Sequence, residues 1–183
     1  KIKPQFGEYV RHQGEFYRAG TTLIQASTRI SSSHLGVLAA AKCGTVAVYD
    51  RPVVAILSTG SELVSLYADK PLEPGQIIDS NQYAIAALVK QAGAIALPMG
   101  SVSDRKEALF AAMTEAIALA DIVISSGGVS VGDYDYVDEL LAQMGEEIHI
   151  RAVAIKPGKP LTVETIPQLA PDNSNKIPRA KLY

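Results

Sequence analysis

Three short, mainly apolar runs, separated by longer segments of helical periodicity, constrain this chain more than any other feature. Val53–Leu57 is continuously apolar, as expected of a strand covered on both sides, Ala94–Met99 reads as a second strand and Ile122–Ser125 as a third buried one. Between them lie DSNQYAIAALVKQAG (79–93) and SDRKEALFAAMTEAIALA (103–120). Ile85, Leu88, Val89 and Ala92 share one face of the first helix; Leu109, Ala112, Met113, Ala116 and Ile117 share one face of the second. Asp104, followed three residues later by Glu107, gives the second helix a capping-box start. A third helix is predicted over Tyr136–Met144 and a fourth strand over Ile148–Ile155, with KPGKP (156–160) interrupting before Leu161–Glu164. Strands alternating with helices predict an α/β fold, an open and mostly parallel sheet with helices on both faces.

Residues 1–50 have a different texture. GEFYRAGTTLI (14–24) predicts a turn flanked by short strands. SSSHLGVLAAAKCG (31–44) predicts a helix with Ser33 as N-cap and Gly44 as its stop, and Thr45–Tyr49 an alternating strand. Asp50, Arg51 and Pro52 then break the chain. The expected organisation is a small β/α connecting segment over 1–50 and an α/β domain over 51–183. Residues 167–179 read as a polar, proline-containing loop, and the closing Lys-Leu-Tyr as a strand just starting. With Lys1 at its start, the chain reads as a piece of a longer protein, cut short within the second domain.

Its 183 residues, 48% hydrophobic and 20% charged, suffice for one ordinary domain and an appendage. A net charge of −2 gives no electrostatic reason to expect nucleic acid or an anionic membrane as partner. Cys43 is the only cysteine, which excludes an internal disulfide and a thiolate metal cluster, and a reducing, cytoplasmic setting is expected. His12, His34 and His149 are scattered, which argues against a histidine metal site. No apolar run approaches the roughly 20 residues needed to span a bilayer as a helix.

In an open α/β sheet, ligands bind outside the carboxyl ends of the strands, which singles out four loops. STGSEL (58–63) offers the Ser58 and Thr59 hydroxyls, a tight turn at Gly60 and the Glu62 carboxylate. SDR (103–105) offers Asp104, which a simple N-cap would equally explain. In SSGGVSVGDYD (125–135), Gly127 and Gly128 allow backbone N–H groups to approach a ligand as phosphate-binding turns do. Asp133 and Asp135 follow, where acids either cap the next helix or serve a ligand. KPGKP stiffens Lys156 and Lys159 into a cationic turn suited to an oxyanion, or into an ordinary solvated turn. Glycine turns and lysines receive oxyanions; carboxylates at the same sheet edge suit Mg²⁺ bridging to them.

Four stretches, AILSTGSELV, SNQYAIAALVKQAGA, SSGGVSVGDYDYV and AIKPGKPLTV, in this order, closely resemble the molybdenum-cofactor biosynthesis domain of MoeA-type molybdopterin molybdenumtransferases, the family that includes the E domain of gephyrin. The resemblance covers about residues 52–165, and GEFYRAGTTLIQASTRISSSHLGVLAAAKCGTVAVY resembles the segment preceding that domain. It implies Mg²⁺-dependent insertion of molybdate into adenylated molybdopterin with release of AMP. It further implies a homodimer in the full-length protein and receipt of substrate from a molybdopterin adenylyltransferase. The family's acids fall on Glu62, Asp104 and Asp135 as metal or substrate-positioning groups, and its loop lysine on Lys156, with Lys159 nearby. Thr59, Gly60, Ser126, Gly127, Gly128 and Ser130 would line the substrate pocket. One departure is Ala152, where the family carries a cation four residues before Lys156; Arg151 stands beside it. The alternatives are a MogA-like adenylyltransferase, which would consume ATP, and a non-catalytic gephyrin-like scaffold. An LPGNP-like loop and further domains that the family adds lie outside this sequence, so the fragment alone is expected to turn over little substrate.

Overall fold

The computed structural model describes residues 3–127, 147–150, 152–156, 161–166 and 179–181. They fall into two units, Lys1–Tyr49 with Ile177–Tyr183, and Asp50–Lys176. In the first unit, α1 (Ser32–Ala40) precedes β1 (Thr45–Ala47). Three serines open α1, and the cap is Ser31 rather than the predicted Ser33. His34 decides this, because its Nδ1 lies 3.1 Å from the Ser31 N–H and 3.0 Å from its Oγ. The helix also ends before Gly44. Lys42 takes the left-handed backbone (φ 57), and the Lys42 and Cys43 N–H groups donate back to Ala39 and Leu38. The strands predicted around the 14–24 turn are absent. Thr21 closes a local turn on the Arg18 carbonyl through both its N–H and its hydroxyl, and no strand assigned among the described residues pairs with this stretch.

In the second unit, β2 (Val53–Thr59) leads to β3 (Leu63–Val64), β4 (Ile77–Ile78) and α2 (Ser80–Gln91). Then come β5 (Ile95–Val102), α3 (Lys106–Leu119) and β6 (Ile122–Gly127). β2 is the centre of a parallel sheet of order β5-β2-β6. The fold is α/β, as the sequence predicts. Alternation along β2 places one helix on each side. Val54 and Ile56 pack with Ala86 and Val89 of α2, whereas Leu57 packs with Leu109 and Met113 of α3. Asp121 secures the entrance of the sheet, its carboxylate accepting the Val53 N–H at 2.7 Å while its own N–H donates to the Val53 carbonyl.

β5 runs three residues beyond its predicted end because Pro98 and Gly100 do not stop it. Pro98 sits on an edge strand, where its missing donor costs little. The register slips between Ile56 and Leu57, so that Ile56 faces Pro98 but Leu57 faces Gly100. This bulge inverts the alternation, and Val102 joins Met99 on the α3 side.

α2 rotates slightly from its predicted face. Ala86 and Val89 are buried, but Leu88 is 63% exposed and Ala92 is exposed. α3 starts at Lys106 with Arg105 as cap, and Asp104 does not serve as its capping-box residue. The predicted fourth strand is β7 (Glu147–Ile150), which pairs antiparallel with β8 (Val163–Thr165). That pair is separate from the parallel sheet among the described residues. β9 (Arg179–Lys181) returns to the first unit and pairs antiparallel with β1. The predicted helix over 136–144 lies outside the described residues. No helix among the described residues is long and apolar enough to cross a membrane.

Leu57 is fully buried between β2 and α3. Leu57→Ala is expected to cost about 2–5 kcal/mol, measurable as a lowered urea midpoint at unchanged slope.

Candidate functional site

The carboxyl ends of β2 and β6 lie side by side, with Ser58 opposite Ser126 and Thr59 opposite Gly127. Ser58 and Ser126 touch through their hydroxyls at 3.3 Å, which holds the two strand ends together. Gly127 has φ +88, and a Cβ there would collide with the Thr59 carbonyl oxygen. Only glycine allows the strands to stay this close at the point where the chain leaves the sheet. The Thr59 hydroxyl is buried and has no hydrogen-bond partner among the described residues, although an unpaired buried polar group is costly.

The STGSEL loop turns back on the sheet. Gly60 donates its N–H to Val102 at the end of β5, and Leu63 donates to the Gly60 carbonyl. The Glu62 carboxylate lies over Gly60, where a Cβ would meet its atoms at 2.7–2.9 Å. Asp104 reaches the same loop. Its Oδ2 accepts the Ser61 N–H at 3.0 Å, and its own N–H donates to the Ser61 Oγ at 3.4 Å. This tie explains why Asp104 does not cap α3. The loops after β2 and β5 are thereby joined, and each carries one carboxylate.

A cavity of about 140 Å³ opens at these strand ends. Thr59, Glu62, Ser126 and Gly127, four of the predicted site residues, line one side. The other side comes from residues to which the sequence assigns no site role: Leu63, Ile77 and Ile78 from β3 and β4, then Asp79, Ser80 and Asn81. The β3–β4 pairing brings them there, with Ile77 donating to the Glu62 carbonyl and Asp79 to that of Val64. Asp79 is 4% exposed and caps α2, its Oδ1 accepting the Gln82 N–H and its Oδ2 the Gln82 side-chain amide. A signal for it was present in the sequence, since an aspartate immediately before an apolar-periodic segment is a natural N-cap.

Gly60 and Asp104 do not line this cavity, and Lys156 is exposed and outside the lining. Ala152 is exposed. Gly128, Ser130, Asp133, Asp135, Arg151 and Lys159 lie outside the described residues. Among the described residues, no group of three or more His, Cys, Asp or Glu side chains is gathered around a common metal position.

Residues 55–177, which contain all four of the loops read above, match the family described as "Probable molybdopterin binding domain". The chain belongs to this family. A molybdopterin molybdenumtransferase of Nostoc sp. is 58% identical over 164 residues, covering 90% of this chain and 37% of that protein. Another, from Bacillus subtilis, is 36% identical over 163 residues, covering 89% of this chain and 37% of that protein. A crystal structure of the molybdopterin biosynthesis MoeA protein from Pyrococcus horikoshii superimposes with a TM-score of 0.68 at 31% identity, covering 84% of this chain and 37% of the other. The chain therefore spans little more than a third of the length of these relatives.

Gly127→Ala is expected to lower stability by at least about 1–2 kcal/mol from the left-handed backbone alone, and to push β6 away from Thr59. A drop in the thermal midpoint with loss of ligand binding would bear this out; an unchanged midpoint would sink it.

Proposed function

We propose that this chain is the pterin-holding part of a molybdopterin molybdenumtransferase, which inserts molybdate into adenylated molybdopterin and releases AMP with the help of Mg²⁺. The observation that carries this reading is the convergence of Thr59, Glu62, Ser126 and Gly127 on one cavity at the carboxyl ends of two neighbouring parallel strands. The relatives named molybdopterin molybdenumtransferase support it. Because the chain matches 37% of their length, the complete reaction is assigned to the full-length protein. A homodimer, a cytoplasmic setting and receipt of substrate from an adenylyltransferase belong to the same reading and rest on the family resemblance.

The donor set suits a hard divalent cation. Mg²⁺ typically takes one or two protein carboxylates together with substrate phosphates, and Glu62 and Asp104 stand on loops joined through Ser61. In this reading Glu62, Asp104 and Asp135 hold the ion, which when bound draws negative charge from the phosphoanhydride oxygens. Gly127 and Gly128 let backbone N–H groups approach the ligand, with Thr59, Gly60, Ser126 and Ser130 around it. Lys156 and Lys159 meet phosphate or molybdate and offset the charge on the departing AMP.

The test is AMP release from adenylated molybdopterin by the full-length protein with Mg²⁺, in the presence and absence of molybdate. Molybdate-dependent release is expected, reduced by about 100-fold in Glu62→Gln. Release that ignores molybdate, or ATP consumption with metal-free molybdopterin, would overturn the reading.

A further inference from the structure

Ser61 lies between Gly60 and Glu62 in the STGSEL loop and has no part in the proposed chemistry. A serine in an exposed turn is ordinarily just solvated, and Ser61 is exposed. Its bonds are nevertheless long-range. Its N–H donates to the Asp104 Oδ2 at 3.0 Å, and its Oγ accepts the Asp104 N–H at 3.4 Å, across 43 positions of sequence. The Gly60 N–H adds a third bond between the same two segments, reaching the Val102 carbonyl at 3.1 Å. An N–H that meets a carboxylate makes a charge-assisted bond, stronger than one between neutral groups.

These bonds divide the Asp104 carboxylate. Oδ2 is committed to Ser61, whereas Oδ1 has no hydrogen-bond partner among the described residues. The other use of an aspartate at this place, capping α3, is taken by Arg105. Asp104 is thus held by one oxygen and keeps the other for a ligand. Carboxylates that bind metals are themselves oriented by outer hydrogen bonds, and loss of such a partner typically costs about 10–100-fold in metal affinity or activity. The turn leaves Ser61 able to serve in this way. Leu63 donates to the Gly60 carbonyl at 3.1 Å, which makes Ser61 and Glu62 the central residues, and neither has a positive φ. The Ser61 N–H takes no part in closing that turn, so it is available to Asp104.

We propose that Ser61 is a positioning residue for the divalent cation. Its N–H and hydroxyl fix the Asp104 carboxylate to the loop that carries Glu62 and leave Asp104 Oδ1 as the oxygen that meets the ion. Ser61 itself touches neither ion nor substrate. The inference rests on the reading that Glu62 and Asp104 hold Mg²⁺, and it deepens that reading by tying the ion's geometry to a bond between two loops.

The experiment measures Mn²⁺ binding to the full-length protein in the presence of AMP, through the electron paramagnetic resonance signal of free Mn²⁺. Mn²⁺ stands in for Mg²⁺ because both favour carboxylate and other oxygen ligands. Ser61→Pro is the informative variant, since proline is favoured at the first central position of such a turn yet has no N–H to give Asp104. The expected result is a Kd for Mn²⁺ raised about tenfold or more. The Mg²⁺ concentration for half-maximal AMP release is expected to rise in step, with kcat at saturating Mg²⁺ and the thermal midpoint little changed. Ser61→Ala, which keeps the N–H and loses only the longer bond, is expected to raise the Kd about threefold, and it decides the matter if the proline variant does not fold. Mn²⁺ affinity unaltered by these substitutions would overturn the inference alone, as would a loss of AMP release that saturating Mg²⁺ does not restore. Failure of the wild-type protein to bind Mn²⁺ would overturn both this inference and the assignment of Mg²⁺ to Glu62 and Asp104.

Discussion

Enclosure of β2 on both faces is the constraint on which the second unit depends. Every residue from Val54 to Gly60 is buried, and as far as Leu57 the strand carries apolar side chains alone up to its carboxyl end. There the composition changes abruptly to Ser58, Thr59 and Gly60. Two helices pack on opposite faces of the same strand, one on Val54 and Ile56 and the other on Leu57. Among the described residues, the cost of burying the last polar groups is met in part by the Ser58–Ser126 contact and left unmet at the Thr59 hydroxyl. A rigid strand that ends in unsatisfied polar chemistry is a mounting point for a ligand.

The parallel core was legible because strands enclosed on both faces leave an unmistakable record, unbroken apolar runs. The site residues on its edge were legible by extension, since strand ends and glycine turns locate Thr59, Glu62, Ser126 and Gly127 without any knowledge of packing. Asp79 was harder to place. It reaches the cavity through a ladder of two residues on each strand, too short for any periodicity to register. Leu88 and Ala92 were assigned inward because α2 carries apolar residues around much of its circumference, and only the position of β2 selects Ala86 and Val89. The end of β5 was misjudged for a related reason. Proline and glycine are punctuation in isolation, but on an edge strand they become a bulge and the strand continues.

The cavity gathers the carboxylates of Glu62 and Asp79 and the backbone of Gly127 within one small space. Asp104 acts on this space without lining it, because its bonds to Ser61 fix the loop that carries Glu62.

The pairing of β1 with β9 has a consequence for how the chain matures. Those strands belong to the first unit, yet the whole second unit lies between them in sequence. Topologically the α/β domain is an insertion in its host. The guest is synthesised before Arg179–Lys181, so the helices and sheet around β2 can form before β1 meets β9. Closing so long a loop from an unfolded chain carries an entropic penalty that a folded guest has largely removed in advance. Damage to the β2 core would therefore be felt by a ladder with which it shares no residue.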